Sequence, residues 1–488
     1  MRTRFTTAVA AAGIAASTVS AAPAAAAGAG AAPLTPAAVD AYLEEALDDT
    51  GLPGVSVAVV RDGRVVHTAG YGRGSDGEPV TEDTPMRIAS LSKSFTAMAV
   101  MTLVEEGAVD LDGAVAEQLP GFSPGDPRAD RITVRHLLDQ TSGLSDTTVD
   151  IADLEDASSL EEYVSRLDGA ELAAAPGTRM EYCNANYNVA ARLVEAASGE
   201  RFGDYVREAV FEPLGMEHSA LSDADVPVPD GHNSLYGFWL PRAERPGFLD
   251  DSGSGGVIST AADMGRWLTA HTGGDAPVGA ESLQAMYAPS AADDYAMGWS
   301  PETAPGGAEL MVHSGNLFTY NAAQGFDPET GYGFAVLSNG APLADETYPI
   351  MLGLAALSRG ERPDGPGTAR KAADAALAAA GALALGLGAA GAARSRRWAA
   401  RRTGRPVWRT ALRTAPLLLP AALFAGYPAA VSLLSNGREI TWDQMFYFPL
   451  PLTLTLAAAA LAGLGTAAAR LLRLRAAARS TGTVGSPS

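Results

Sequence analysis

The chain has 488 residues, 47% of them hydrophobic, a single cysteine and a formal net charge of −21 at pH 7. That apolar share excludes a disordered chain, and one cysteine excludes both an intramolecular disulfide and a cysteine-built zinc site. The acidic balance argues against a nucleic-acid partner, which needs a basic footprint, and the length predicts one large domain with additions.

The mean charge conceals a division. From Lys371 onward fourteen cations face only Asp374, Glu439 and Asp443, a net +11 that leaves −32 on the first 370 residues.

In chain order, residues 1–27 read as a secretory signal: Arg2 and Arg4, an apolar stretch, then Ala25-Ala26-Ala27 as a cleavage site. Gly28–Pro36 reads as a linker. A body domain is expected over residues 35–365. Val55–Val60 and Arg64–Ala69 are β-rich runs around Arg61-Asp62-Gly63, a hairpin signal. The spacing predicts helices over Ser90–Glu106, Arg131–Leu138, Tyr187–Ala197 and Ala261–Leu268, the last with Thr260 as its N-cap. Tyr332–Leu337 predicts a late strand, and Gly360–Gly367 a second linker. A strand pair, a helical middle and returning strands predict a sheet covered by helices, of the α+β or α/β class.

The tail, residues 371–480, holds three uncharged runs: Ala375–Ala393, Thr414–Leu434 and Pro449–Ala469. Each is long enough to span a hydrocarbon core of about 30 Å. Eight arginines fill the loop between the first two runs and four follow the third, whereas Ser435–Phe448 carries only Arg438. Lys/Arg excess marks the cytoplasmic side, so a multi-pass protein of the cell membrane with the body outside is expected, as the signal independently requires. Three spans exceed what anchoring needs, and the tail is expected to meet lipid or another membrane protein.

Chemistry concentrates at Ser90-Leu91-Ser92-Lys93. Three residues apart on a helix, a hydroxyl and an amine share one face. A serine hydroxyl is a weak nucleophile until a base takes its proton, and a lysine amine serves if burial lowers its pKa. The Ser90 amide, in a helix's first turn, is free to face a developing oxyanion. Composition sharpens this reading. Lys93 and Lys371 are the only lysines among 35 cations, and arginine cannot be deprotonated in a protein. A lysine retained where arginine serves everywhere else points to a site that needs a removable proton. Gly121-Phe122-Ser123-Pro124-Gly125 matches a nucleophile elbow in letters only, because prolines occupy the required strand and helix. His-Glu-x-x-His is absent, so no metal is called for, and no cofactor either.

Ile88-Ala89-Ser90-Leu91-Ser92-Lys93-Ser94-Phe95-Thr96-Ala97 resembles the first motif of the serine β-lactamase and penicillin-binding superfamily, in its class C and D,D-carboxypeptidase branch. Leu111–Val115, Leu137-Leu138-Asp139-Gln140-Thr141-Ser142-Gly143-Leu144, Tyr182-Cys183-Asn184, Gly255–Asp263 and His313-Ser314-Gly315 are similar to its later segments, in order. The resemblance implies an α+β fold, an antiparallel sheet flanked by helices plus a helical region. It implies Ser90 as nucleophile, Lys93 as base and Tyr182 as second proton carrier, with positive neighbours. It also implies Asn184, His313, Gly315 and Asn316 at the substrate, with the Ser90 and Asn316 amides as oxyanion hole. The expected substrate is a D-amino-acid peptide, a β-lactam or a small ester. The rival expectation is a penicillin-binding sensor that acylates without turnover. Cys183, between two site residues, is expected to be a small buried filler.

Overall fold

The computed structural model describes residues 34–482 except 246, 343, 364, 435–437 and 439; the expected export signal lies outside them. The two β-rich runs pair as an antiparallel hairpin. Strand β1 (Gly54–Arg61) turns into β2 (Arg64–Gly72) through Asp62 and Gly63, both at positive φ, which suits the twist of a tight hairpin. Strands β3 (Ser300–Thr303), β4 (Glu309–Asn316), β5 (Asn321–Phe326) and β6 (Tyr332–Ser338) complete an antiparallel sheet in the order β2-β1-β6-β5-β4-β3. First and last parts of the body thus meet in one sheet, with Val57 opposite Val336.

The layers are built by α1 (Pro36–Thr50), α2 (Ser92–Glu105), α3 (Asn184–Ser198), α4 (Ala261–His271) and α5 (Thr347–Ser358). Alternation along the strands divides the core. Val55, Val57, Val59, Phe334 and Val336 pack with Leu43 of α1 and Ile350 of α5. Ala58, Val60, Ala335 and Leu337 face the other way, toward Trp267 of α4 and the helical region. At that junction the Phe95 ring of α2 stacks on Trp267 at 3.8 Å and meets Phe211 edge-on at 5.8 Å. Thr260 caps α4 as expected, its hydroxyl accepting the Asp263 amide at 3.1 Å.

Beyond the body, α6 (Ala369–Ala393) and α7 (Leu450–Gly482) are long and apolar enough to cross a membrane by length and composition. They run in the same direction: Thr455 donates to the Leu377 carbonyl and Thr466 to the Gly388 carbonyl, a constant offset of 78 residues. Within the expected span over 414–434 the helix is bent. Ala415–Leu418 is 3-10 helix, and Val407–Ala425 meets Tyr427–Leu434 at 55° across Gly426. Pro416, Pro420 and Pro428 lack the amide donors an unbroken helix would use.

The body also extends past the expected linker. Arg370, in the first turn of α6, is buried against Glu346 (3.0 Å) and Asp374 (3.1 Å). Asp374 in turn accepts from the Ser234 hydroxyl and the Gly237 amide.

Candidate active site

Ser90 lies in a 3-10 turn, Ala89–Leu91, immediately ahead of α2 rather than inside it. Ala89 adopts φ +52, a left-handed conformation that costs a β-carbon-bearing residue about 1 kcal/mol or more. Ser92 holds the turn: its hydroxyl donates to the Ala89 carbonyl at 2.6 Å and accepts the Val257 amide at 3.0 Å. The second serine of Ser-Leu-Ser-Lys is therefore a clamp on the turn that carries the first.

Lys93 is fully buried, and its Nζ donates to Ser90 Oγ at 3.1 Å, Asn184 Oδ1 at 2.9 Å and the Ser254 carbonyl at 2.7 Å. Burial pushes its pKa down to about 7; Arg438 acts in the same direction, whereas Asp146 and Cys183 oppose it. Glycines make the burial possible. A β-carbon on Gly298 would lie 2.6 Å from the Ser94 backbone, and one on Gly253 2.4 Å from the Tyr187 carbonyl.

The Tyr182 ring sits 4.8 Å from the Lys93 amine and edge-on to Tyr295 at 6.1 Å. Surrounding protein raises the phenol's pKa, and the Ser90 hydroxyl opposes that rise. With 41% of the residue exposed, solvent limits the increase, and the direction leaves Tyr182 a neutral proton donor at pH 7.

His313 is held neutral. Its Nδ1 lies 2.8 Å from the Ser314 carbonyl, which can only accept, so Nδ1 carries the proton and Nε2 accepts from the Tyr295 hydroxyl at 3.1 Å. Burial, assisted by Lys93, lowers its pKa to about 3. The ring is neutral and supplies no positive charge to Tyr182, 6.4 Å away between ring centroids.

Gly315 fixes the opposite wall. A β-carbon there would stand 2.6 Å from the Ile88 carbonyl and 2.9 Å from the Ser90 nitrogen. Only glycine lets β4 approach the serine turn this closely, bringing Asn316 to the same edge. Cys183 is fully buried, its amide donating to Gln140 Oε1 at 3.0 Å, and burial raises its thiol's pKa. Ser90, Lys93, Tyr182, Asn184, His313 and Gly315 thus converge on one site. Sequence reasoning did not find Ser254, which contributes a carbonyl available from any residue type. It also missed Tyr295, Asp146 and Arg438, which come from loops without periodicity. The run of glycines around Ser254 was the one visible signal there.

A family model described as Beta-lactamase matches residues 39–358. Protein flp of Staphylococcus aureus is 27% identical over 316 residues, and the chain spans 62% of that relative's length with 62% of its own. Esterase EstB of Burkholderia gladioli is 31% identical over 274 residues, 48% of this chain and 69% of the relative. Among solved structures, the octameric penicillin-binding protein homologue from Pyrococcus abyssi superposes with a TM-score of 0.59 at 27% identity, covering 67% of this chain and 78% of the other.

Proposed function

The chain belongs to the beta-lactamase family, and from that premise we propose that it is a membrane-anchored extracytoplasmic serine hydrolase working through an acyl-enzyme. The observation that carries the reading is the Lys93 amine, buried, poised near neutrality and 3.1 Å from Ser90 Oγ. Asn184 Oδ1 and the Ser254 carbonyl are acceptors. Once the ammonium loses a proton they hold its two remaining N–H bonds, and the contact with Ser90 reverses, the hydroxyl donating to the lone pair.

Lys93 then takes the Ser90 proton as Oγ attacks an ester or amide carbonyl. The Ser90 and Asn316 amides receive the charge on the carbonyl oxygen. As the tetrahedral intermediate collapses, Tyr182 protonates the leaving group and regains a proton from the Lys93 ammonium. Water, deprotonated by the neutral amine, next attacks the acyl carbonyl, and the proton returns to Ser90 as the acid leaves. Asn184 orients Lys93, and neutral His313 holds Tyr295 beside Tyr182.

The substrate is an ester or an amide acyl donor; the match to a protein named as an esterase supports the ester. Anchoring rests on α6, α7 and the bent pair, and the external position of the body on the arginine-rich segments at one side of them. A fluorophosphonate probe tests the centre: wild type labels and Ser90→Ala does not. Equal labelling of the two would remove Ser90 from the role.

A further inference from the structure

The tail touches the body at a second place besides the Arg370 network. The segment preceding α7 lies against the hairpin strand Phe238–Arg242 and the loop after it. Asp443 accepts from Arg245 Nε at 2.6 Å, and the Phe446 carbonyl accepts from Arg242 at 2.7 Å. The Arg242 guanidinium rests over the Tyr447 ring at 3.4 Å, and Tyr447 meets Phe318 edge-on at 5.5 Å. Farther back, Arg438 faces Asp146 at 3.4 Å.

These contacts reach two segments that adjoin the site. Phe318 follows Gly315 and Asn316 on the sheet side, its amide held by Glu244 at 3.0 Å. Asp146 follows the Ser142–Ser145 turn on the helical side, where its charge acts on Lys93, Tyr182 and Cys183. Helix direction brings the segment there. Because α6 and α7 run in parallel and α6 starts inside the body's own ion-pair network, the start of α7 must emerge at the body as well. Each contact is an ion pair, a hydrogen bond or a ring contact of modest strength. Their joint effect comes from tethering, since helices on either side keep the segment at high effective concentration.

We propose that this segment, Arg438 with residues 440–448, is the outer wall of the substrate cleft. Arg438 and Tyr447 are then specificity-determining residues that the membrane tail supplies, restricting Ser90 to acyl donors compact enough to pass beneath them. The inference rests on the serine-hydrolase reading and deepens it by naming the substrate's shape.

The test uses the full chain in detergent with two fluorophosphonate probes, one carrying a short alkyl group and one a bulky dye beside the phosphorus. Wild type labels faster with the compact probe. In the Arg438→Ala/Tyr447→Ala double variant the ratio of bulky to compact labelling rates rises about tenfold. An unchanged ratio, or both rates altered in parallel, overturns the proposal, because loss of folding alone moves the two together. A second chain, Arg245→Cys with Asp443→Cys, is locked by a cleavable bifunctional thiol cross-linker whose arm spans the gap the arginine–aspartate pair fills; Cys183 is buried and does not compete. Cross-linking lowers the ratio and cleavage restores it, and indifference to the lock also overturns the proposal. Labelling that survives Ser90→Ala with either probe defeats the hydrolase reading instead.

Discussion

Body and tail both depend on apolar side chains but dispose them in opposite ways. The body hides Trp267, Phe95 and Leu337 and exposes few large apolar groups, Phe238 and Val65 among them. The tail turns Leu383, Leu385, Leu387, Leu461 and Leu472 outward. Polar groups invert too. Many buried polar groups of the body are paired, as where Trp267 donates to Gln324 and Gln324 to Ser94, although Ser56 Oγ and Trp299 Nε1 have no partner, whereas the tail's arginines cluster beyond its apolar stretches. Outward leucine is costly in water and favourable in hydrocarbon, which is the contrast expected if the tail lies in a membrane as proposed. Cation chemistry divides as well: through residue 370 every Lys/Arg position is arginine except Lys93, where the proposed reaction needs a removable proton.

Lys93→Arg attacks that division most directly. It keeps the charge and removes the base, and kcat/KM is expected to fall on the order of 1000-fold; a fall under tenfold would show that charge alone suffices. Gly315→Ala comes next, forcing β4 away from Ser90 and lowering kcat/KM about 100-fold, with thermal melting as the control for gross unfolding.

The pH profile follows. Because burial lowers the Lys93 pKa to about 7, kcat/KM should fall about tenfold per unit as pH drops below 7 and level off above it. The sign for stability is the same. Between about 7 and the ordinary 10.5 the unfolded chain binds a proton that the folded one releases, so Lys93 makes stability rise with pH across that window. A rate still climbing at pH 10 would assign the limb to another group.

Ending the chain after Asp374 separates the two solvents. The product is expected to stay in the aqueous phase of a detergent partition and keep fluorophosphonate labelling, whereas the full chain partitions with detergent. The smallest effect is expected from Asp374→Asn, which keeps the packing but weakens the charge pairing with Arg370. It should cost about 2 kcal/mol in denaturant unfolding with little change in labelling.

Much of the fold was legible because its determinants are local. Alternation in β1 and β6, the Asp62-Gly63 turn and the Thr260 cap each act within a few residues. Ser90 and Lys93 were legible for the same reason, as a three-residue spacing joined to a scarcity of lysine. The protonation of His313 was not, because it depends on burial and on the Ser314 carbonyl rather than on residue type. The break at Gly426 was written in three prolines, but whether they kink or interrupt a helix is decided by what packs around them. Arg438 could not be placed at all, since its position follows from the parallel course of helices far apart in sequence.

The start of α6 has a mechanical consequence. Its first turn is locked in the body by Arg370 and Asp374, and the same helix continues without interruption into the apolar stretch ending at Ala393. A flexible tether would let a catalytic head swivel and sweep a wide volume above its anchor. In the proposed anchoring a continuous rod transmits rotation, so the site would keep a fixed height and heading, and the substrate would have to come to it.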